Sequence, residues 1–218
     1  METTWEFLKK LTDPESILSY GGLALLLFVI FAETGLFFGF FLPGDSLVFL
    51  SGVFCATKPE YLSHTNIFLL ILYLSLAAIL GNITGYYFGR ATGDKLFKRD
   101  DSLFFKKRHV TVTKAFYEKH GKKTLILGRF IPYVRTFAPI LAGVIKIELS
   151  KFFLYTVAGA FLWIGSLTSI GFFLGRKFPG IEKHLGWIVI GLIVVTTIPV
   201  VRTYLKEKKR NAKGRGIQ

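Results

Sequence analysis

Of the 218 residues in this chain, 51% are hydrophobic and 19% are charged, and the mean hydropathy is +0.48. Soluble domains carry about 25% charged residues, so this composition favours a protein that is partly dissolved in lipid. The formal charge of +14 suits either nucleic acid or an anionic membrane face, and the placement of the charges must decide. The single cysteine, Cys55, excludes an intrachain disulfide and a cysteine-based zinc site.

Four segments without a charged residue predict transmembrane helices: 16–32, 61–89, 152–175 and 185–201. We expect the last helix to extend over 185–205. About 17–25 apolar residues suffice to cross a bilayer, and the second segment leaves room for a short lead-in. Acidic residues precede the first segment and no cleavage site follows it, which argues against a signal peptide. We therefore expect one all-α polytopic membrane domain over 1–218, with about four transmembrane helices.

The basic residues predict the orientation of these spans. Ten of the 28 Lys and Arg residues lie in 91–123 and seven lie between Arg202 and the C-terminus. The positive-inside rule therefore places this loop, the tail 206–218 and the N-terminus in the cytoplasm. Residues 103–120 mix aromatic and basic side chains, as an amphipathic helix or an ordinary basic loop would. We expect the basic charge to contact anionic lipid rather than nucleic acid.

Two further apolar segments are interrupted at their centres and predict re-entrant hairpins. The first, 35–56, contains Pro43 and Gly44, and the second, 124–145, contains Pro132 and Pro139. Proline removes a backbone donor and glycine loosens the helix, so neither segment is expected to span as one helix. Such backbone is tolerated at membrane depth only where protein or a water-filled cavity surrounds it.

The two halves of the chain resemble each other. The first repeat, 16–90, holds a hairpin and a span ending in Gly-x-x-x-Gly-Arg, and the second, 124–175, holds the same pair of elements. The glycines concerned are Gly85, Gly89, Gly171 and Gly175, and we expect them to be close helix-packing positions. Because the two hairpins enter from opposite sides, the prediction is an inverted repeat, as in many transporters.

Four charged residues lie within the apolar core: Glu33, Asp45, Arg129 and Arg135. A charge at the bilayer centre costs about 2.5–3.5 kcal/mol on insertion scales and therefore indicates a function or a partner. Simpler alternatives stay open, since Glu33 could be solvated at the interface, Asp45 could cap a helix, and both arginines could snorkel. A helix break at Pro132 would let the two arginines converge, and the four charges sum to zero.

No nucleotide-binding or zinc-protease motif occurs, and the four histidines are not clustered. We therefore expect no cofactor, no metal site and no enzymatic activity, with homo-oligomerisation left open.

These motifs resemble those of the DedA family of bacterial membrane proteins. The resemblance covers roughly residues 15–205 and rests on Glu33, Phe41-Leu42-Pro43-Gly44-Asp45, Gly81-Asn82-x-x-Gly85-Tyr86-x-x-Gly89-Arg90, Gly128-Arg129-Phe130-Ile131-Pro132-x-x-Arg135-Thr136, Gly143 and Trp163. It implies a transporter of the bacterial inner membrane with two re-entrant hairpins. It further implies that the chain flips undecaprenyl phosphate or, alternatively, phosphatidylethanolamine.

The resemblance also implies residue roles. Glu33 and Asp45 match the family's acidic pair, with inferred proton coupling, and Arg129 and Arg135 match its arginine pair. Arginine is a better bidentate partner for a lipid phosphate than lysine is. We therefore expect the carboxylates to hold the arginines until phosphate displaces them. A lipid-phosphate enzyme and a transporter of soluble substrates or ions remain the alternatives.

Overall fold

The computed structural model describes residues 14–36, 44–98, 132–178, 180–181 and 191. This part of the chain is helical and contains no strand. Its helices are α1 (Pro14–Gly35), α2 (Gly44–Thr57), α3 (Ile67–Lys98), α4 (Pro132–Val144) and α5 (Leu149–Lys177), with a short 3₁₀ helix at Pro59–Leu62. Several predicted features lie outside the described residues: Pro43, Arg129, residues 103–120 and the tail 206–218. The same holds for the region 185–205 apart from residue 191.

Two described helices are long and apolar enough to cross a bilayer. They are Ile67–Thr92 within α3 and Leu149–Lys177, which is α5. Helix α5 contains the whole predicted span 152–175, and α3 contains residues 67–89 of the predicted span 61–89. The end of the 3₁₀ helix, residues 61–62, overlaps the expected lead-in of the latter. The side chain of Asn66 accepts a hydrogen bond from the Leu69 amide at 2.9 Å, which caps the start of α3.

Helix α1 differs from the predicted span 16–32 because it is broken at Gly22. This residue has φ +54° and ψ −150°, a backbone conformation that favours glycine. A Cβ at this position would lie 3.2 Å from the carbonyl oxygen of Tyr61, so the 3₁₀ helix approaches the chain at the break. The continuous apolar helix that precedes Glu33 is therefore shorter than a membrane-spanning one.

Apart from residues 35 and 36, the structure describes only the second part of each predicted hairpin. Helix α2 covers the whole second half of 35–56, and α4 covers the second half of 124–145 except for its last residue. Helix α4 begins at Pro132, where a missing amide costs nothing because the first helical residues have no intrahelical acceptor. Pro139, which the sequence predicts to interrupt the hairpin, instead lies inside α4, and the helix continues through it to Val144.

Helix α2 lies at the centre of the described residues and is buried along almost its whole length. It packs chiefly along α5, while α3 packs along both α1 and α4. Apolar side chains of α1, α2, α3 and α5 form the main core. By contrast, the outer faces of α3 and α5 present large apolar side chains, with Phe68 81% and Leu154 66% exposed. Such an outer surface suits hydrocarbon rather than water as its surroundings.

Candidate functional site

Glu33 is held at the end of α1 by a close crossing with α3. The adjacent Thr34 donates its hydroxyl to the carbonyl of Ile30 at 2.8 Å and lies 3.3 Å from the Ala78 carbonyl of α3. A Cβ on Gly35 would stand only 2.6 Å from the carbonyl oxygen of Gly81, so the two backbones touch. This crossing leaves the Glu33 side chain directed inward, where it is only 2% exposed.

Asp45 lies in the first turn of α2, directly after Gly44. A carboxylate is favourable there because the first helical amides carry partial positive charge. A Cβ on Gly44 would coincide with Oε2 of Glu33, so the absent side chain is what lets the two carboxylates approach. The start of α2 therefore brings the acidic residues of two helices together.

Arg135 of α4 reaches both carboxylates. Its Nη2 donates to Oε1 of Glu33 at 2.5 Å, and its Nη1 donates to Oδ1 of Asp45. The side chains of Arg135 and Asp45 are 5% and 17% exposed, so the ion pairs lie almost wholly inside the protein. Arg135 follows the start of α4 by one helical turn, and the start at Pro132 thereby fixes its position.

Trp163 of α5 completes the site and was not among the predicted site residues. Its indole nitrogen donates to Oδ1 of Asp45 at 2.9 Å, and its ring centre lies 4.4 Å from the guanidinium carbon of Arg135. We call Glu33, Asp45, Arg135 and Trp163 the charge cluster. The one sequence signal for Trp163 is its family-like position. A tryptophan in an apolar span is otherwise expected to lie in the core or to face lipid.

The charge cluster carries two carboxylates against one cation. If both are ionised, the described site has a formal charge of −1, and Arg129 lies outside the described residues. Two buried polar atoms, Oε2 of Glu33 and Nε of Arg135, have no hydrogen-bond partner among the residues that the structure describes. The cluster therefore has capacity for a further cation, a proton or an anionic ligand.

Glycines bring the backbones of two helix pairs into contact around the cluster. On α3, Gly89 faces the carbonyl of Ile140 in α4, and a Cβ on Gly85 would lie 3.5 Å from the Cβ of Pro139. On α5, Gly171 faces the carbonyl of Phe49 in α2, and Gly175 faces that of Val53. Because a Cβ at Gly89 or Gly171 would collide with backbone, the contacts at these two positions are possible only for glycine.

A second polar contact secures the loop between α4 and α5. The hydroxyl of Tyr86 donates to the carbonyl of Ile147 at 2.6 Å, and its ring stacks on Phe152 with centroids 4.7 Å apart. Because Tyr86 belongs to α3, this contact joins α3 to the segment that connects α4 with α5. Within the described ranges, no three His, Cys, Asp or Glu side chains form a group that could hold a metal ion.

Comparison with known proteins gives the family. The model of the VTT domain matches residues 42–173. The chain is 39% identical to Protein DedA of Escherichia coli K12 over 190 residues, which is 87% of this chain and 85% of that protein. It belongs to the DedA family. No solved structure matches it.

Two further relatives are named as membrane proteins. Inner membrane protein YqjA of Escherichia coli K12 is 33% identical over 88% of this chain and 83% of its own length. Uncharacterized membrane protein ML0287 of Mycobacterium leprae is 39% identical over 86% of this chain and 82% of its own length. These relatives and the apolar helices of the structure indicate that this DedA-family chain is a helical membrane protein, as the sequence predicted. The matched VTT domain includes Asp45, Arg135 and Trp163, whereas Glu33 precedes its first residue.

Proposed function

We propose that this chain flips a phosphate-bearing lipid, foremost undecaprenyl phosphate, across the bacterial inner membrane in a proton-coupled cycle. The observation that carries this proposal is the Arg135 guanidinium, which is held by one buried and one partly buried carboxylate inside an apolar protein. Its fork of donors matches a phosphate as well as it matches paired carboxylates. A buried cation already bound by anions is suited to exchange them for an anionic head group.

The exchange accounts for the charges of the site. In the structure, Glu33 and Asp45 hold Arg135. When a lipid phosphate takes over the guanidinium, the carboxylates lose their cation and a proton neutralises one of them, because an unpaired buried charge is costly. Arg129 would supply a second phosphate ligand. The head group then crosses between the hairpins while the lipid tail stays in the bilayer.

The reciprocal glycine contacts support the inverted repeat and the two re-entrant hairpins as part of this proposal. The span of the first repeat, α3, packs on the second hairpin helix, α4, and the span of the second repeat, α5, packs on the first hairpin helix, α2. Such an exchange of partners is expected when two oppositely oriented repeats share one midplane site. In this arrangement the tails and the basic loop 91–123 lie in the cytoplasm and contact anionic lipid head groups.

Reconstituted protein tests the function. Proteoliposomes containing a fluorescent undecaprenyl phosphate should show flipping by the wild type. Arg135→Lys keeps the charge but loses the fork, and losing one charge-assisted hydrogen bond, about 1.5–3 kcal/mol, predicts a rate lower by about ten- to a hundredfold. Arg176→Lys is the matched control, because Arg176 is exposed at the end of α5, and it should flip at the wild-type rate. A wild-type rate in Arg135→Lys would contradict the proposal.

Further measurements address the alternatives. An imposed pH gradient should change the flipping rate, and indifference to it would remove proton coupling from the proposal. Fluorescent phosphatidylethanolamine in the same vesicles tests the second substrate class. Release of inorganic phosphate from the lipid would instead favour a lipid-phosphate enzyme. Impermeant thiol reagents, applied to cysteines introduced at 58–66 or 206–218 in a Cys55→Ser background, should label the two segments from opposite sides.

A further inference from the structure

Arg135 is the place where two glycine-packed helix pairs are joined by a side chain. Helix α4, which carries Arg135, packs mainly on α3, whereas Asp45 and Trp163 belong to the α2–α5 pair. The Arg135 side chain crosses between the pairs, contacting Asp45 of α2 and the ring of Trp163 of α5. Its position relative to the α2–α5 pair therefore depends on these two residues.

We infer that Trp163 is the positioning residue that holds Arg135 against Asp45 and releases it when an anionic head group binds. This inference rests on the proposed function and adds a residue and a role to it. The indole makes two contacts of different kinds, an in-plane N–H bond to Asp45 and a face contact with the guanidinium. Each contact orients one member of the ion pair, so together they fix the pair's geometry.

Other side chains could make only part of this arrangement. Phenylalanine offers an aromatic face without the N–H donor, and leucine offers neither contact. Trp163 is 2% exposed and belongs to the main core together with Ala160 and Ile164 of the same helix. Close packing keeps the indole in place, so the ring can orient the guanidinium rather than follow it.

The indole also reports the state of Arg135. In the structure the guanidinium carbon lies over the ring, 4.4 Å from its centre. If a phosphate draws the guanidinium away, the ring loses a positive charge at its face, and its fluorescence should change in wavelength or intensity. The chain has three tryptophans, and Trp5 and Trp187 are the two to be replaced to leave Trp163 as the single emitter.

The test uses the full chain in phosphatidylcholine nanodiscs and proteoliposomes. In Trp5→Phe/Trp187→Phe, added undecaprenyl phosphate should change the emission saturably, and the change should be absent when Arg135→Lys is added. In flipping assays, Trp163→Phe should lower the rate about three- to tenfold and Trp163→Leu by more, because the first loses one contact and the second loses both. Because it loses the bond to Asp45, about 1.5–3 kcal/mol, the Phe variant should fold but melt about 3–12 °C below the wild type.

The outcomes separate this inference from the proposed function. If the wild type flips lipid but both Trp163 variants flip at its rate, the positioning role is overturned and the proposed function stands. The same holds if Trp163 emission ignores the lipid while flipping continues. Equal rates for the Phe and Leu variants, both below that of the wild type, would overturn the assignment of two separate contacts. If the wild type flips no phosphate lipid at all, the proposed function fails and takes this inference with it.

Discussion

Replacing Arg135 with alanine would remove the cation from a site that holds two carboxylates. Glu33 and Asp45 would then lie in the protein interior, 2% and 17% exposed, with no positive partner among the described residues. Breaking a buried ion pair by removing one partner costs about 3–5 kcal/mol. The lost contact with the Trp163 ring adds to this, so we expect a loss of about 5 kcal/mol in the free energy of unfolding.

This loss should be visible as a lower melting temperature of the purified protein in detergent. For a chain of 150–250 residues, 1 kcal/mol corresponds to about 2–4 °C, which predicts a decrease of at least about 10 °C for Arg135→Ala. The control is Lys151→Ala, which breaks the ion pair with Glu148. Because Lys151 is 49% exposed, its removal should change the stability by less than about 1 kcal/mol.

A triple variant distinguishes unpaired charge from lost packing. Glu33→Gln/Asp45→Asn/Arg135→Met removes all three charges while keeping similar side-chain volumes. If the cost in Arg135→Ala comes from the stranded carboxylates, the triple variant should recover most of the melting temperature. A triple variant as unstable as Arg135→Ala would refute this reasoning, and so would an Arg135→Ala protein that melts like the wild type.

Four further substitutions test the packing and one helix cap in the same melting assay. Gly171→Ala should lower the free energy of unfolding by about 1–3 kcal/mol, because its Cβ would meet backbone. Gly165→Ala on the same helix, whose Cβ would have nothing within 4 Å, should raise it by up to about 1 kcal/mol. Equal effects of the two substitutions would contradict the close contact at Gly171. Tyr86→Phe should cost about 1 kcal/mol by losing a 2.6 Å hydrogen bond, and an unchanged melting temperature would count against that bond. Asn66→Ala should also cost about 1 kcal/mol by removing the cap of α3, and an unchanged melting temperature would count against this cap.

The sequence indicates three of the four members of the charge cluster because their chemistry is out of place in an apolar segment. Inserting a charged side chain into the membrane costs free energy, and pairing with an opposite charge reduces that cost. Contact between Glu33, Asp45 and Arg135 is therefore expected from their charges alone. The structure brings these three together. Trp163 could not be predicted in the same way, because an aromatic residue in a membrane helix is favourable with or without a polar contact.

Two backbone features also escape prediction for physical reasons. Gly22 is one of many glycines in apolar segments, and its positive φ depends on the approach of Tyr61 from another part of the chain. Pro139 was predicted to interrupt the second hairpin, yet α4 continues through it. A proline removes one hydrogen bond and bends a helix, and whether the helix continues afterwards depends on the packing around it. Here Pro139 lies against Gly85 of α3.

The contact between Gly44 and Glu33 links two positions that lie on different helices. Oε2 of Glu33 occupies the volume that a side chain at position 44 would need, so one space serves both residues. During evolution position 44 cannot become larger while Glu33 keeps this conformation. A relative with a larger residue at position 44 should carry a shorter one at position 33, and unless that residue is aspartate it would have to obtain its second carboxylate from elsewhere. Correlated substitution at these two positions should therefore mark any DedA-family branch in which this charge cluster has been rebuilt.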